Sequence, residues 1–226
     1  MAIRLLNQLE RKMHGVRIQP FFKYIIFAMA GVALLQFFIP RYPLVYWMAL
    51  VRDLVFSGQI WRLLTFLLIP PLMEGSILTT SGIIQVALML YFYYFIGTAL
   101  EGRWGARRFL LYYAIGALAA ILAGLISGIG FNQFLYLSMF FAFAIQYPDF
   151  QLLLFFVLPI KVKWLALFNA VYHIYLFAIG TWPVRLAILF SLLNLVLFFG
   201  GDLLTMARQS IAQWRRRQLF KKNTRR

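Results

Sequence analysis

The run Phe109-Leu110-Leu111-Tyr112-Tyr113-Ala114-Ile115-Gly116-Ala117-Leu118-Ala119-Ala120-Ile121-Leu122-Ala123-Gly124-Leu125-Ile126-Ser127-Gly128-Ile129 carries no charged residue. A bilayer-spanning helix needs roughly 20 predominantly apolar residues, so this stretch is long enough to cross. It is preceded by Arg107-Arg108 and closed by Gly128 and Gly130, which mark its ends. Within it Gly116, Ala120, Gly124 and Gly128 recur at four-residue spacing, with Ala119, Ala123 and Ser127 beside them. Lipid supplies little hydrophobic drive between helices, so small residues that admit close backbone approach do the packing. The ladder predicts a helix at the centre of a bundle, or a seam through which two copies pair.

Similar runs flank this one. Phe21 to Ile39, Ile83 to Leu100, Phe131 to Tyr147, Trp164 to Trp182 and Leu186 to Leu204 each have 17 to 19 residues. The segments predict an all-α membrane protein with six transmembrane helices. The chain is 63% hydrophobic and 12% charged, against about 25% charged in soluble domains, so one aqueous core cannot hide it. Two apolar stretches fall outside the six. Tyr42 to Pro71 is interrupted by Arg52, Asp53 and Arg62 and reads as a long structured loop in the interface. Phe150 to Ile160 is too short to cross and reads as interfacial or re-entrant.

The net charge of +16 is distributed as topology demands. Of the 22 Lys and Arg, 18 fall on the side shared by the two ends of a six-span chain. Arg41, Arg52, Arg62 and Arg185 fall on the other side. Cytoplasmic loops collect Lys and Arg, so both ends are expected in the cytoplasm. Residues 1–20 read as a cytoplasmic amphipathic helix with Leu5, Leu9 and Met13 on one face, and not as a signal peptide. Residues 21–204 form the membrane domain, and 205–226 a basic tail suited to anionic headgroups. Nucleic-acid binding is not indicated, since no aromatic-interleaved basic patch accompanies the charge. The expected location is a bacterial inner membrane, with the endoplasmic reticulum membrane as the alternative.

Polar residues inside the runs are the candidates for chemistry: Gln36, Gln85, Asn132, Gln133, Ser138, Gln146, Asn169, His173, Ser191 and Asn194. Such groups are costly in lipid unless paired. Asn169 and His173 share one face, one turn apart, and suit either a proton relay or a hydrogen-bonded packing pair. The chain has no cysteine and only two histidines, with no carboxylates near His173, so no metal site is expected. No phosphate loop or dinucleotide fingerprint appears, and no cofactor is implied.

The loop segment Gly58-Gln59-Ile60-Trp61-Arg62-Leu63-Leu64-Thr65-Phe66 resembles the Trp-Arg loop of the rhomboid superfamily, and its Derlin branch in particular. Gly97-Thr98-Ala99-Leu100-Glu101-Gly102-Arg103-Trp104-Gly105 is similar to the rhomboid turn that ends the second span, with Glu101 and Gly105 at the matching places. The resemblance implies a six-helix bundle over Phe21 to Leu204. It makes Gln59, Trp61 and Arg62 structural, with the guanidinium hydrogen-bonded to loop carbonyls. Active rhomboids carry Gly-x-Ser-Gly at the start of the fourth span and a histidine in the sixth. Here the serine position falls on Gln133 within Phe131-Asn132-Gln133-Phe134, and the histidine position falls near Ile188. The supporting His and Asn of the second span correspond to Gln85 and Met89.

The chain thus looks like a rhomboid pseudoprotease that binds transmembrane clients or partners, as in membrane-protein quality control. Gln85, Asn132, Gln133, Ser138, Asn169 and His173 are the candidate polar client site. Two alternatives are an intramembrane serine protease with a relocated Ser138–His173 dyad and a small-solute transporter. The short runs are compatible with a locally thinned bilayer.

Topology is open to a direct check in this cysteine-free chain. Cysteines at positions 76 and 181 are expected to react with an impermeant thiol reagent from outside. Those at positions 106 and 223 are expected to react only after permeabilisation. Outside labelling at position 106 would overturn the six-span reading.

Overall fold

The computed structural model describes residues 18–39, 41–70, 80–154 and 158–200. Most of the amphipathic segment expected over 1–20, the end of the last apolar run and the basic tail over 205–226 lie outside them. The described residues are mostly helical, and among them four helices are long and apolar enough to cross a membrane. That is the architecture of a helical membrane protein.

Helix α1 spans Phe22–Phe38. Three short helices follow in the first loop, α2 (Leu44–Met48), α3 (Arg52–Phe56) and α4 (Arg62–Thr65), then a 3₁₀ turn over Phe66–Leu68. Next come α5 (Thr80–Trp104), α6 (Ala106–Ser127) and α7 (Gln133–Gln146). A two-stranded antiparallel hairpin, β1 (Gln151–Leu154) and β2 (Leu158–Lys161), leads into α8 (Val162–Ile179) and α9 (Trp182–Gly200). The long helices therefore fall on the six apolar runs. Their lengths, however, range from 14 residues in α7 to 25 in α5, not a uniform 17 to 19. Trp182 starts α9 instead of ending α8.

Over the stretch expected to be interfacial or re-entrant, Phe150 to Ile160, the described residues form the β1–β2 hairpin and not a helix. Pro159 lacks an N–H and would break any helix through this stretch. Here it faces Leu153 across the hairpin, in a ladder running from Gln151↔Lys161 to Leu154↔Leu158. Both strands are edges, where proline is tolerated. At the base, Asp149 accepts from Lys163 at 3.0 Å and Lys161 at 3.2 Å. These ammonium groups, Lys163 first, hold its carboxyl below the ordinary value, so the contact persists through neutral pH and is lost on acidification below the usual carboxylate range.

The bundle is centred on α7. Nine of its 14 residues are buried, from Phe134 to Ala144, so a helix of about 21 Å is accommodated inside protein without having to match a lipid thickness of about 30 Å. The small-residue ladder of α6 packs beside it. A methyl group at Gly116 would collide with Leu135 of α7 and meet Asn194 Nδ2 of α9 at 2.7 Å. One at Gly124 would meet Leu50 Cδ2 at 2.6 Å and the Gly130 Cα at 2.7 Å. Ala120 lines the same inner face. Gly128 plays a different part, since its φ of +98° forms the left-handed cap that ends α6. The ladder thus faces inward, while Leu118, Leu122 and Ile126 form the exposed apolar stripe of α6.

Three contacts tie the helix ends into levels. The Phe21 backbone N–H donates to Glu101 Oε1 at 2.8 Å, joining the start of α1 to the end of α5. The carboxylate is buried there, at the end of α1 where the helix dipole favours negative charge. Arg103 Nε donates to Gln146 Oε1 at 2.9 Å, joining the end of α5 to the end of α7. At the opposite level Gly130 N–H donates to the Leu50 carbonyl and Arg52 N–H to the Gly128 carbonyl, both at 2.9 Å. These bonds make a short β-bridge, Val51↔Ile129, that docks the first loop on the α6–α7 turn.

This docking predicts a contrast between two glycines. Gly124→Ala should lower the stability of purified protein by about 1–3 kcal/mol through overpacking against Leu50 and Gly130. Gly102→Ala on α5, where a methyl group meets nothing within 4 Å, should leave stability unchanged or slightly raised. Thermal unfolding in detergent reads both.

Candidate functional site

Arg62 organises the first loop. Its side chain is 1% exposed, an unusual burial for a guanidinium. Nε donates to Gln59 Oε1 at 2.7 Å, and one terminal nitrogen donates to the carbonyls of Tyr46 (2.6 Å) and Ala49 (2.7 Å). Thr65 Oγ1 donates to the Met48 carbonyl at 3.1 Å. The planar fork thereby closes α2 onto α4 and satisfies carbonyls at the end of a five-residue helix. Gly58, with φ of +103°, provides the turn between α3 and the Gln59–Arg62 segment. Trp61 points outward, with Tyr42, Tyr46, Trp47, Phe56, Ile60 and Leu64 also exposed on the loop. The loop thus buries its central charge and presents aromatic and aliphatic side chains outward, as interfacial segments do.

The far end of the loop is fastened to α7. Asn132 Nδ2 donates to the Ile69 carbonyl at 2.8 Å and lies 3.4 Å from that of Leu67. The Tyr136 hydroxyl, one turn on, lies 3.2 Å from Met29 Sδ and 3.4 Å from the Leu67 carbonyl. Tyr136 also stacks on Tyr93 of α5, with ring centroids 4.3 Å apart and planes within 5°. Tyr136 and Tyr93 do not stand out in the sequence. The four-residue step from Asn132 to Tyr136 is the one signal that they share a face.

The polar candidates divide between two places. Gln133, Asn169 and His173 border a cavity of about 420 Å³ between α5, α7 and α8, with Met89, Tyr93 and Tyr136 among its other walls. Exposed Phe168, Tyr172 and Met89 stand at its rim, so it opens onto the apolar outer surface. A second cavity of about 300 Å³ lies on the other side of α8, walled by apolar side chains of α7, α8 and α9, and His173 and Leu137 border both. Helix α8 therefore stands off from the bundle on two sides, and Val162 is its one buried residue. The Phe134 and His173 rings stand edge to face between α7 and α8, with centroids 6.1 Å apart.

Ser138 lies elsewhere. It is 1% exposed and donates to the Leu135 carbonyl of its own helix at 2.7 Å. Its neighbours are Gly116 and Ala120 of α6 and Ser191 and Asn194 of α9, around a gap of about 10 Å³. Ser191 donates to the Phe134 carbonyl at 2.6 Å, and Asn194 Nδ2 lies 3.4 Å from the Tyr112 carbonyl. This group is an interhelical polar seam. Ser138 and His173 thus border separate spaces, each hydrogen-bonded to a carbonyl of its own helix. A nucleophile needs its base within hydrogen-bond reach, which this arrangement does not provide. Gln133 and Met89 meet across the larger cavity, while Ile188 is buried with Phe134 and Ala187. Gln85 lies on α5, outside the residues that wall this cavity.

No family model, curated protein or solved structure matches the chain.

The Arg62 geometry generates its own check. Arg62→Lys retains charge but cannot serve Gln59 and two carbonyls as a planar fork, so it should lower thermal stability. Arg62→Ala, which strands the Tyr46 and Ala49 carbonyls, should cost more, about 3 kcal/mol. Unchanged melting and expression in both variants would show that the loop does not depend on this side chain.

Proposed function

We propose that the chain is a six-span, rhomboid-like membrane protein that holds membrane-spanning segments of other proteins and does not cleave them. The observation that carries this reading is the cavity of about 420 Å³ between α5, α7 and α8, open to the apolar surface and with Gln133, Asn169 and His173 among its walls. A site for a soluble solute would face water. This one is rimmed by Phe168, Tyr172 and Met89, where lipid or another helix is the neighbour. Because α8 is loosely held, a guest helix displaces few contacts on entering.

Six spans are supported by the alternation of helix ends. The start of α1 meets the end of α5, and the end of α5 meets the end of α7, on the side that carries most of the Lys and Arg. The first loop meets the α6–α7 turn at the other level. The rhomboid likeness rests on the Trp61-Arg62 loop and the Glu101–Gly105 turn, in which Arg62 and Glu101 have the structural partners described above. The non-proteolytic reading is supported by Gln133 at the serine position, apolar Ile188 at the histidine position, and the separation of Ser138 from His173. Both ends then face the cytoplasm of a bacterial inner membrane or of the endoplasmic reticulum, and the charge of the 205–226 sequence suits anionic headgroups.

A photoreactive residue placed at Tyr172, on the cavity rim, is expected to trap membrane-spanning proteins at their intact mass. The same residue at Leu118, on the outer stripe of α6, is expected to trap lipid. Equal protein capture from both positions would refute the site. Cleavage of a fluorogenic transmembrane substrate, abolished by Ser138→Ala and by His173→Ala, would refute the non-proteolytic reading.

A further inference from the structure

The α8 wall of the large cavity has an uneven hydrogen-bonding character. His173 Nδ1 lies 2.8 Å from the Asn169 carbonyl oxygen. A carbonyl oxygen only accepts, so Nδ1 carries the proton, and in a neutral imidazole Nε2 is then left with its lone pair. One turn away, Asn169 Oδ1 is buried and has no hydrogen-bond partner among the described residues. Asn169 Oδ1 is thus an acceptor without a donor among the described residues, and His173 Nε2 stands one turn on along the same face of α8. Oδ1 is covered by protein, so a guest reaches it once the Asn169 amide turns toward the cavity that this residue borders. In an apolar setting an unmatched acceptor is costly, and a donor that arrives there is held more firmly than in water.

The depth of this wall identifies the kind of donor. Trp164 and Trp182 bracket α8 in the sequence, and His173 stands midway between them. Indoles favour the two membrane interfaces, which puts Asn169 and His173 well inside the hydrocarbon. Headgroup donors stay at the interface and do not reach that level. The cavity wall on α8 runs from Leu165 to Leu176, about three helical turns or 18 Å, which suits a helix and not a headgroup. Serine and threonine are the donors that a membrane helix carries at low cost, because the hydroxyl can bond its own i−4 carbonyl until a better acceptor is offered.

We propose that Asn169 and His173 select guest helices carrying a serine or threonine hydroxyl at mid-membrane depth, which donates to one of these two acceptors. The inference rests on the helix-holding function proposed above and adds the chemistry by which the guest is chosen. Gln133, on the opposite wall, can both donate and accept, so it completes the site for a hydroxyl that also needs a donor of its own.

The test uses the full chain in phosphatidylethanolamine–phosphatidylglycerol vesicles with a donor dye on Ala106→Cys. Three acceptor-labelled polyleucine transmembrane peptides are added, carrying leucine, serine or O-methylserine at the centre. The last keeps the oxygen and loses the proton. Energy transfer should report that the serine peptide binds about 3- to 10-fold more tightly than the other two. Asn169→Leu with His173→Phe should bring all three peptides to one affinity, and a cooperative thermal unfolding transition in detergent shows the variant to be folded. Equal binding of the serine and O-methylserine peptides, or a preference that survives the double substitution, would overturn donor selection and leave helix holding intact. Failure of all three peptides to bind would overturn helix holding itself, and donor selection with it.

Discussion

A guanidinium removed from water must place its donors, and Arg62 does so on the first loop's own backbone. It bonds Gln59 and the carbonyls of Tyr46 and Ala49, and this closes a segment otherwise too short in each of its helices to hold a shape. The consequences propagate along the chain. The closed loop presents Leu50 to Gly124 and Gly130, where only glycine leaves room, and presents the Leu67 and Ile69 carbonyls to Asn132 and Tyr136. Those two residues fix the first turns of α7, the helix around which the bundle packs. The face that α7 turns toward α8 depends in this way on a charge buried about 70 residues earlier in the sequence.

Firm packing on one side of α7 contrasts with the other. Toward α6 and α9 it is sealed by glycine contacts and by the polar seam of Ser138, Ser191 and Asn194. Toward α8 it leaves cavities of about 420 and 300 Å³. Close packing is the rule inside proteins, and empty space of this size forfeits dispersion contacts unless lipid or a guest fills it. Helix α8 is nonetheless anchored at both ends. The β-hairpin and the Asp149–Lys163 contact hold its start, and Arg185 of α9 reaches back to the Ala178 carbonyl at its end. A helix pinned at its ends and slack in its middle can shift aside without leaving the bundle. That property, combined with polar groups beside the cavities, is what the proposed helix-holding function calls for.

The positions of the helices were legible in the sequence, because apolar runs in a membrane chain are bracketed by Gly, Pro and charge. The exceptions have local causes. Thr80 and Gly82 lower the apparent hydrophobicity before Ile83, and so hide the first turn of α5. The Gln151–Lys161 hairpin escapes a sequence reading because its register comes from pairing between strands, which no helical periodicity reveals. The site was less legible. Adjacent residues on a helix point about 100° apart, so Leu137 borders the α8 cavities while Ser138 faces α6. A single sequence names both positions without saying which way either turns. Glu101 is recognisable as part of a turn, yet its partner, the Phe21 N–H, is 80 residues away and leaves no local trace.

Whether the α5–α7–α8 cavity admits a helix from the bilayer can be read with an environment-sensitive dye on Gln133→Cys, inside the cavity wall, in vesicles containing acyl-brominated lipids. Bromine quenches on contact. Quenching in lipid alone that is relieved when a transmembrane peptide is added is the expected result, because the guest replaces acyl chains against α7. No quenching in lipid, or quenching unaltered by saturating peptide, would mean that the cavity is closed to the bilayer and holds no helix.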